Sequence, residues 1–467
     1  MSWIDLTIFF TYLLAMLGVG FYFMRKNTST DDYYVGGRKL NSLHIGLSVV
    51  ATDVGGGFSI GLGGLGFAMG ISGSWLLFTG LIGAWLSGVL LIPKVADLAR
   101  EKGFLSFPQF LEHAFDKRVA LLAGVISAIG YLGFTSSQIL AGAKLASSTF
   151  AGISLNQALL IMGVIAIVYT VLGGLKAVIY TDTVQWIVLM AGLILVGLPF
   201  AYFKIGGMET IKATLEPSFL SLSSISWQTG VNWMFTIIPI WFIGMTLYQR
   251  IYAAKDTKTA QRGWFIAGLF EYPLMAFVGV LLGMFSRVAM ENGLLPGYNA
   301  TNLDAEMGLP VLLRTILPVG FLGIVLSAYF SAIMSTADSC LMAASGNLVT
   351  DVLKKHNSKN GLRYSQVLTL IIGVLALIIA LKMTSVLELM LHSYSFMVSG
   401  MFIPVLAALF LKKPDSLAAL ASMIVGGCTT LTLIIADVSL PLGFDANIFG
   451  IGAALSTYLF VSLIRRA

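Results

Sequence analysis

The stretch "ATDVGGGFS", residues 51–59, sits near the middle of an apolar run over about residues 44–70. About 20 residues suffice to cross a bilayer as helix, so this run is of spanning length. A carboxylate at that depth costs a few kcal/mol even on lenient insertion scales, so Asp53 should face protein, an ion or a cavity rather than lipid. Gly55, Gly56 and Gly57 beside it are poor helix formers and allow the span to break. Unwound backbone at membrane depth is tolerated only where it is buried or lines a cavity, and there its freed carbonyls bind ions and polar solutes. The stretch reads as an interrupted helix around a mid-membrane site. The plainer alternative is an Asp53 that merely hydrogen-bonds a neighbouring helix, with glycines that serve close packing. Ionisable residues inside a membrane default to function, which favours the first reading.

The rest of the chain agrees with a membrane setting. Of its 467 residues, 57% are hydrophobic and 11% charged, too few polar side chains to cover a water-soluble globule. The 50 glycines suit close helix packing in lipid. Thirteen apolar segments follow one another, near 3–24, 44–70, 73–97, 119–149, 155–173, 176–203, 228–250, 263–288, 310–347, 363–382, 385–411, 415–436 and 446–465. Leu, Ala, Gly and Met dominate them without long alternation, so the expected fold is an all-α polytopic bundle of 13 spans and not a barrel. The first run has no basic region before it and is followed by Arg25 and Lys26, as a retained span would be. Cys340 and Cys428 fall in apolar runs and read as free, buried thiols.

Charge sets the orientation. With the N-terminus outside, the inner loops collect most of the 28 Lys and Arg. Lys144, Lys204, Lys212, Arg287, Arg314 and Lys382 fall outside or within spans. That is the positive-inside pattern, and it accounts for the net charge of +6 without a nucleic-acid partner. The expectation is a multi-pass protein of the cell's inner (plasma) membrane, N-terminus outside and C-terminus inside, with the bilayer as partner and no obligatory protein partner. The longest stretches between spans, 204–227 and 289–309, both fall outside. "ENGLLPGYNATNLDAEMGLP" (291–310) suggests a small external cover.

A transporter built from inverted repeats should carry a second break five spans after the first. Passing over the first helix as an extra, this lands on the run 228–250, where "IIPIWFIGMTLYQR" (237–250) contains Pro239 and Gly244. Spacing alone then divides the chain into an extra helix within 1–30, five-helix halves at 44–203 and 228–411, and two peripheral helices within 415–467. Two polar clusters add to the picture. "YTDTVQ" places Thr181, Asp182 and Thr183 near one end of a span, and "SAIMSTADSC" (331–340) places Ser335, Thr336, Asp338 and Ser339 inside another. On a helix Ser335 and Ser339 share a face, and Asp338 lies one turn from Ser335. Hydroxyls, carboxylates and free carbonyls are the ligands of a hard cation, whereas the four scattered histidines form no soft-metal set. For a lone Ser, back-bonding to the helix carbonyl is the usual explanation; for the whole cluster it is the weaker one.

These motifs carry a resemblance. "DDYYVGGRKL" (31–40), "SVVATDVGGGFS" (48–59), "YTVLGGLKAVIYTDTVQ" (169–185), "LYQRIYAAKD" (247–256) and "SAIMSTADS" (331–339) resemble, in order, those of the sodium/solute symporter family, which includes proline, glucose, sialic acid and choline transporters. The resemblance implies a LeuT-type inverted repeat of 5+5 helices with an extra N-terminal helix, and alternating access driven by inward Na+ flow. It implies a sodium site from the carbonyls of Ala51, Val54 and Ala332 with the hydroxyls of Ser335 and Thr336. A second sodium, as in some members, would use Asp182, Asp338 and Ser339 with Ser335. Asp53 matches an aspartate that supports sodium binding in the proline branch. Solute would sit against Gly55, Gly56 and the second break, with Trp241 and Gly244. The glycine triplet and "YQR" look most like the choline branch, yet that branch's cage tryptophans fall here on Asp53, Gly133 and Gly244. The expected cargo is a small polar organic solute, amino acid or amine such as proline or choline ahead of sugar, vitamin or carboxylate.

Glu271 in "LFEYPLM" lies within a span without an assigned role. Lys144, Arg250 and Arg314 read as snorkelling or loop-pairing cations, and Trp75, Trp85 and Trp186 as interface or packing residues. A channel would show a ring of like pore-lining residues. An enzyme would need a nucleophile–base pair or a metal set, and the Asp/Ser/Thr clusters have no His or Cys partner. A transporter-like sensor remains the alternative within the same fold, although the chain closes on "LIRRA" with no signalling domain in view.

Overall fold

The computed structural model describes residues 2–26, 35–53, 55–150, 152–173, 175–354 and 361–465. Among these the chain is helical, and extended pairing is limited to a parallel bridge between Leu40 and Ala254. In order, α1 (Trp3–Lys26) is followed by α2 (Ser42–Asp53), α3 (Gly55–Met69), α4 (Trp75–Leu90), α5 (Ile92–Lys102), α6 (Phe107–Ala114) and α7 (Lys117–Thr149). Then come α8 (Leu155–Gly173), α9 (Leu175–Ala191), α10 (Leu198–Lys204), α11 (Gly207–Thr214), α12 (Trp227–Ile243) and α13 (Met245–Ala253). The remainder is α14 (Thr257–Leu269), α15 (Ala276–Glu291), α16 (Ala305–Ile316), α17 (Phe321–Asn347), α18 (Gly361–Ala380), α19 (Val386–Phe410), α20 (Ser416–Ala436) and α21 (Ala446–Ile464).

Among the described residues nine helices are long and apolar enough to cross a membrane, or ten if α12 and α13, bent by 43°, count as one span. Their starts follow local chemistry. Asp116 accepts from the amides of Arg118 and Val119, Asp256 from Thr259, and Ser385 from Glu388, each filling orphan donors of a first helical turn. The apolar run 310–347 is not one span. Leu317 is extended, Pro318 cannot continue the helical hydrogen bonds, and Gly320 has φ 90°, so the run divides into α16 and α17. Cys340 is buried as expected, but Cys428 lies on the exposed face of α20.

Residues 331–339 sit at the centre of the bundle because α17 packs against α1, α2, α3, α7 and α9. Its first amides are capped from another helix: Asp5 Oδ1 of α1 accepts from Gly320 N at 2.7 Å and Gly323 N at 2.9 Å. At the end of the molecule carrying residues 289–309, Lys144 Nζ of α7 binds Asp304 at 2.5 Å and Glu306 at 2.6 Å. Glu306 also accepts from the Val386 and Leu387 amides, both at 2.9 Å, which open α19. One buried ammonium thereby ties α7, α16 and α19 together.

Candidate functional site

The first expected break is present: α2 ends at Asp53 and α3 begins at Gly55, while Val54 lies outside the described residues. Gly55 has φ +24°, and a Cβ there would run into the Thr336 hydroxyl. Only glycine lets α17 come so close. Thr336 Oγ1 lies 3.2 Å from the Ala51 carbonyl oxygen and 3.1 Å from that of Ala332. One hydroxyl hydrogen cannot serve two carbonyls fully, so these three oxygens are rich in lone pairs and short of donors. The Ala51 carbonyl, in the last turn of α2 with this hydroxyl beside it, suits a monovalent cation, whereas the contact with Ala332, inside α17, is the back-bond of a helical threonine. The fourth expected ligand, Ser335, donates to Asp182.

The set expected for a second cation is arranged differently. Asp182 Oδ2 accepts from Ser48 Oγ at 2.7 Å and lies 3.6 Å from Arg250 Nη2. The same Nη2 donates to Thr52 Oγ1 at 2.7 Å and Ser339 Oγ at 2.9 Å, and Nη1 donates to the Thr246 carbonyl at 3.2 Å. Arg250 is 0% exposed. It does not snorkel: a guanidinium fork matches the hydroxyls and carboxylate around it, and burying such a charge requires those partners. Asp182, Ser335 and Ser339 thus gather near Arg250. Asp338 instead accepts from Thr170 Oγ1 of α8 at 2.5 Å, and its Oδ2 has no hydrogen-bond partner among the described residues.

At the positions expected to meet solute, Asp53 Oδ1 receives a long contact of 3.5 Å from Tyr394 Oη and lies beside Glu271. Gly56 is in the first turn of α3. The second break falls at Gly244, which is extended (φ −65°, ψ 116°) between α12 and α13. Tyr131 Oη satisfies the backbone there, accepting from Thr246 N at 3.1 Å. Trp241 is wholly buried, its ring 6.4 Å from that of Trp264, and it packs so tightly on Gly83 that a Cβ there would collide with it. Gly80, on the same face of α4, is covered in the same way by Glu271. Between α3, α12, α16, α19, α20 and α21 lies a cavity of about 510 Å³ whose lining includes Asp304, Glu306, Glu388, His392, Asp445 and apolar residues. Burial pushes the Asp445 carboxyl above its ordinary value, and the neighbouring His392 pulls the other way.

Reading the sequence left Glu271 without a role and missed Tyr131, Tyr394, Ser48, Thr52 and Thr170. A single tyrosine or hydroxyl in an apolar run carries no signal until the fold supplies its neighbour.

The chain matches the model of the sodium:solute symporter family over residues 33–426. It is 28% identical to a high-affinity proline transporter of Bacillus subtilis, over 97% of this chain and 96% of the relative. It is also 28% identical to a sodium/glucose cotransporter of Vibrio parahaemolyticus, over 99% and 91%. The fold is similar to that of a Na+-coupled sialic acid symporter solved in a substrate-bound outward-open state, with a TM-score of 0.80 at 22% identity over 99% of this chain and 98% of that one. The chain belongs to the sodium:solute symporter family, a membrane transporter that couples Na+ to a small solute.

Proposed function

We propose that this symporter imports a small polar organic solute, an amino acid or amine ahead of a sugar, vitamin or carboxylate, by alternating access across the cell's inner membrane. The observation that carries this reading is the meeting of the Ala51 and Ala332 carbonyls with Thr336 Oγ1 at the first break. Sodium binds there, with Ser335 and Val54 completing its shell. Because the ion bridges α2 and α17, its binding favours the arrangement in which both helices hold the solute. Asp53 supports the ion from the end of α2, and solute rests on Gly55, Gly56, Trp241 and Gly244. A second sodium at Asp182, Asp338 and Ser339 would have to share its ligands with Arg250.

The architecture supporting this is a LeuT-type inverted repeat, 44–203 against 228–411, with an extra helix before it and two helices after it. Adding α1 and α8 to the ten, and taking α2 with α3 as one span and α4 as another, makes thirteen; the Lys and Arg bias puts the N-terminus outside and the C-terminus inside. The relative named for proline transport favours an amino-acid or amine cargo. Uptake of a labelled panel of amino acids and amines into proteoliposomes tests the reading. Accumulation under an inward sodium gradient and none under potassium is expected; flux indifferent to the cation overturns it.

A further inference from the structure

The sodium geometry does not use Glu271. α14 and α15 form one apolar stretch interrupted over Phe270–Met275, where Tyr272 is extended (φ −138°, ψ 125°) and Pro273 brings no N–H. Wide helical turns of this kind recur at functional sites. The interruption sets Glu271 over Gly80 and beside Asp53, between α2 and α4. Glu271 is 0% exposed, and its carboxyl lies against that of Asp53 with no other hydrogen-bond partner among the described residues. Two carboxyls packed in this way either share a proton or hold a positive charge, since ionised alone in a dry site they would repel. Sodium has its own oxygens at Ala51, Ala332 and Thr336.

The surroundings suit a larger cation. The Tyr394 ring meets Phe134 edge-on at 5.0 Å, and Phe134 lies 6.5 Å from Tyr131, so aromatic groups stand beside the carboxylates. Ring faces attract a cationic nitrogen. The 510 Å³ cavity, lined by Ser395 next to Tyr394, carries Asp304, Glu306, Glu388 and Asp445 and no Lys or Arg among its lining residues. Lys144 answers the first two. An acidic cavity concentrates cations.

We propose that Asp53 and Glu271 together receive an N–H-bearing ammonium group, so that the transported solute is an organic cation, a primary or secondary amine. This rests on the first break being the solute site. The carboxylates' unfilled lone pairs want N–H donors, which a quaternary nitrogen does not supply.

Thermal stabilisation of the purified full chain tests the proposal, using ethanolamine, pyrrolidine and putrescine against ethylene glycol, tetrahydrofuran and succinate, in sodium and in potassium. Stabilisation by amines alone, and in sodium alone, is expected. Glu271→Gln should raise the half-saturating amine concentration at least tenfold while sodium by itself still stabilises. Glu271→Asp, which keeps the charge one methylene shorter, should restore part of the response. Stabilisation by an uncharged or anionic member, by L-proline without pyrrolidine, or by no amine at all overturns the proposal. So does an unchanged amine response in Glu271→Gln or, if that variant does not fold, in Glu271→Asp. A protein that sodium stabilises no better than potassium would instead overturn the sodium-site reading.

Discussion

Thr336 shows how much one side chain can decide. Its hydroxyl closes a triangle with two carbonyls and occupies space that any residue but glycine at position 55 would take. Removing one oxygen from such a shell forfeits about 1.5–3 kcal/mol, as for hydrogen bonds to charged groups. Thr336→Ala should therefore weaken sodium binding about ten- to hundredfold, with apparent solute affinity falling in step through linkage. Sodium titrations of solute uptake check this, and an unaltered sodium dependence would remove Thr336 from the site. For Asp53→Asn, weakened sodium coupling with normal membrane insertion is expected; transport like the parent's would make Asp53 structural only. At this scale the sequence was most readable where residues came in clusters. Thr336 and Ser335 stood out because four polar groups share one helical stretch, and Asp53 because charge in lipid is costly. Arg250 was misread because its sequence neighbours resemble a span end. Its true partners, Ser48, Thr52 and Ser339, are 202, 198 and 89 residues away along the chain.

Among elements, the two breaks at Asp53–Gly55 and Gly244 were legible from glycine and proline within apolar runs. The interruption at Phe270–Met275 was not recognised, although Pro273 stands inside it. The division of 310–347 was hidden because α16 is itself apolar enough to pass for the start of a span. Docking of α1 could not be foreseen either, since it depends on Asp5 meeting the first amides of α17 across 315 and 318 residues. A cap of this kind contributes about 1–2 kcal/mol. Asp5→Ala should lower thermal stability by that order and loosen sodium binding less than Thr336→Ala does. Parallel melting and sodium-binding measurements on both variants separate the two effects. Equal loss of sodium affinity would place α1 in the ion site's own support.

For the molecule as a whole, hydropathy and the Lys/Arg bias suggested a fold class and an orientation, and only the first is visible in the helices themselves. Side-specific labelling decides the second. In a Cys428→Ser background, a cysteine at Ser218 should react with an impermeant maleimide on intact cells, and one at Lys258 only after permeabilisation. The reverse pattern would invert the topology. Cys340, buried in α17, should stay silent in both. The tie made by Lys144 bears on how such a molecule moves. Losing one partner of a buried ion pair costs about 3–5 kcal/mol, so Lys144→Met should melt earlier than the parent; an unchanged melting temperature would show the tie to be slack. Since that ammonium holds α16 to α7 while Glu306 grips the start of α19, those three cannot drift apart by degrees. Parting any one of them leaves a buried charge without its partner, so these helix ends should travel as one block.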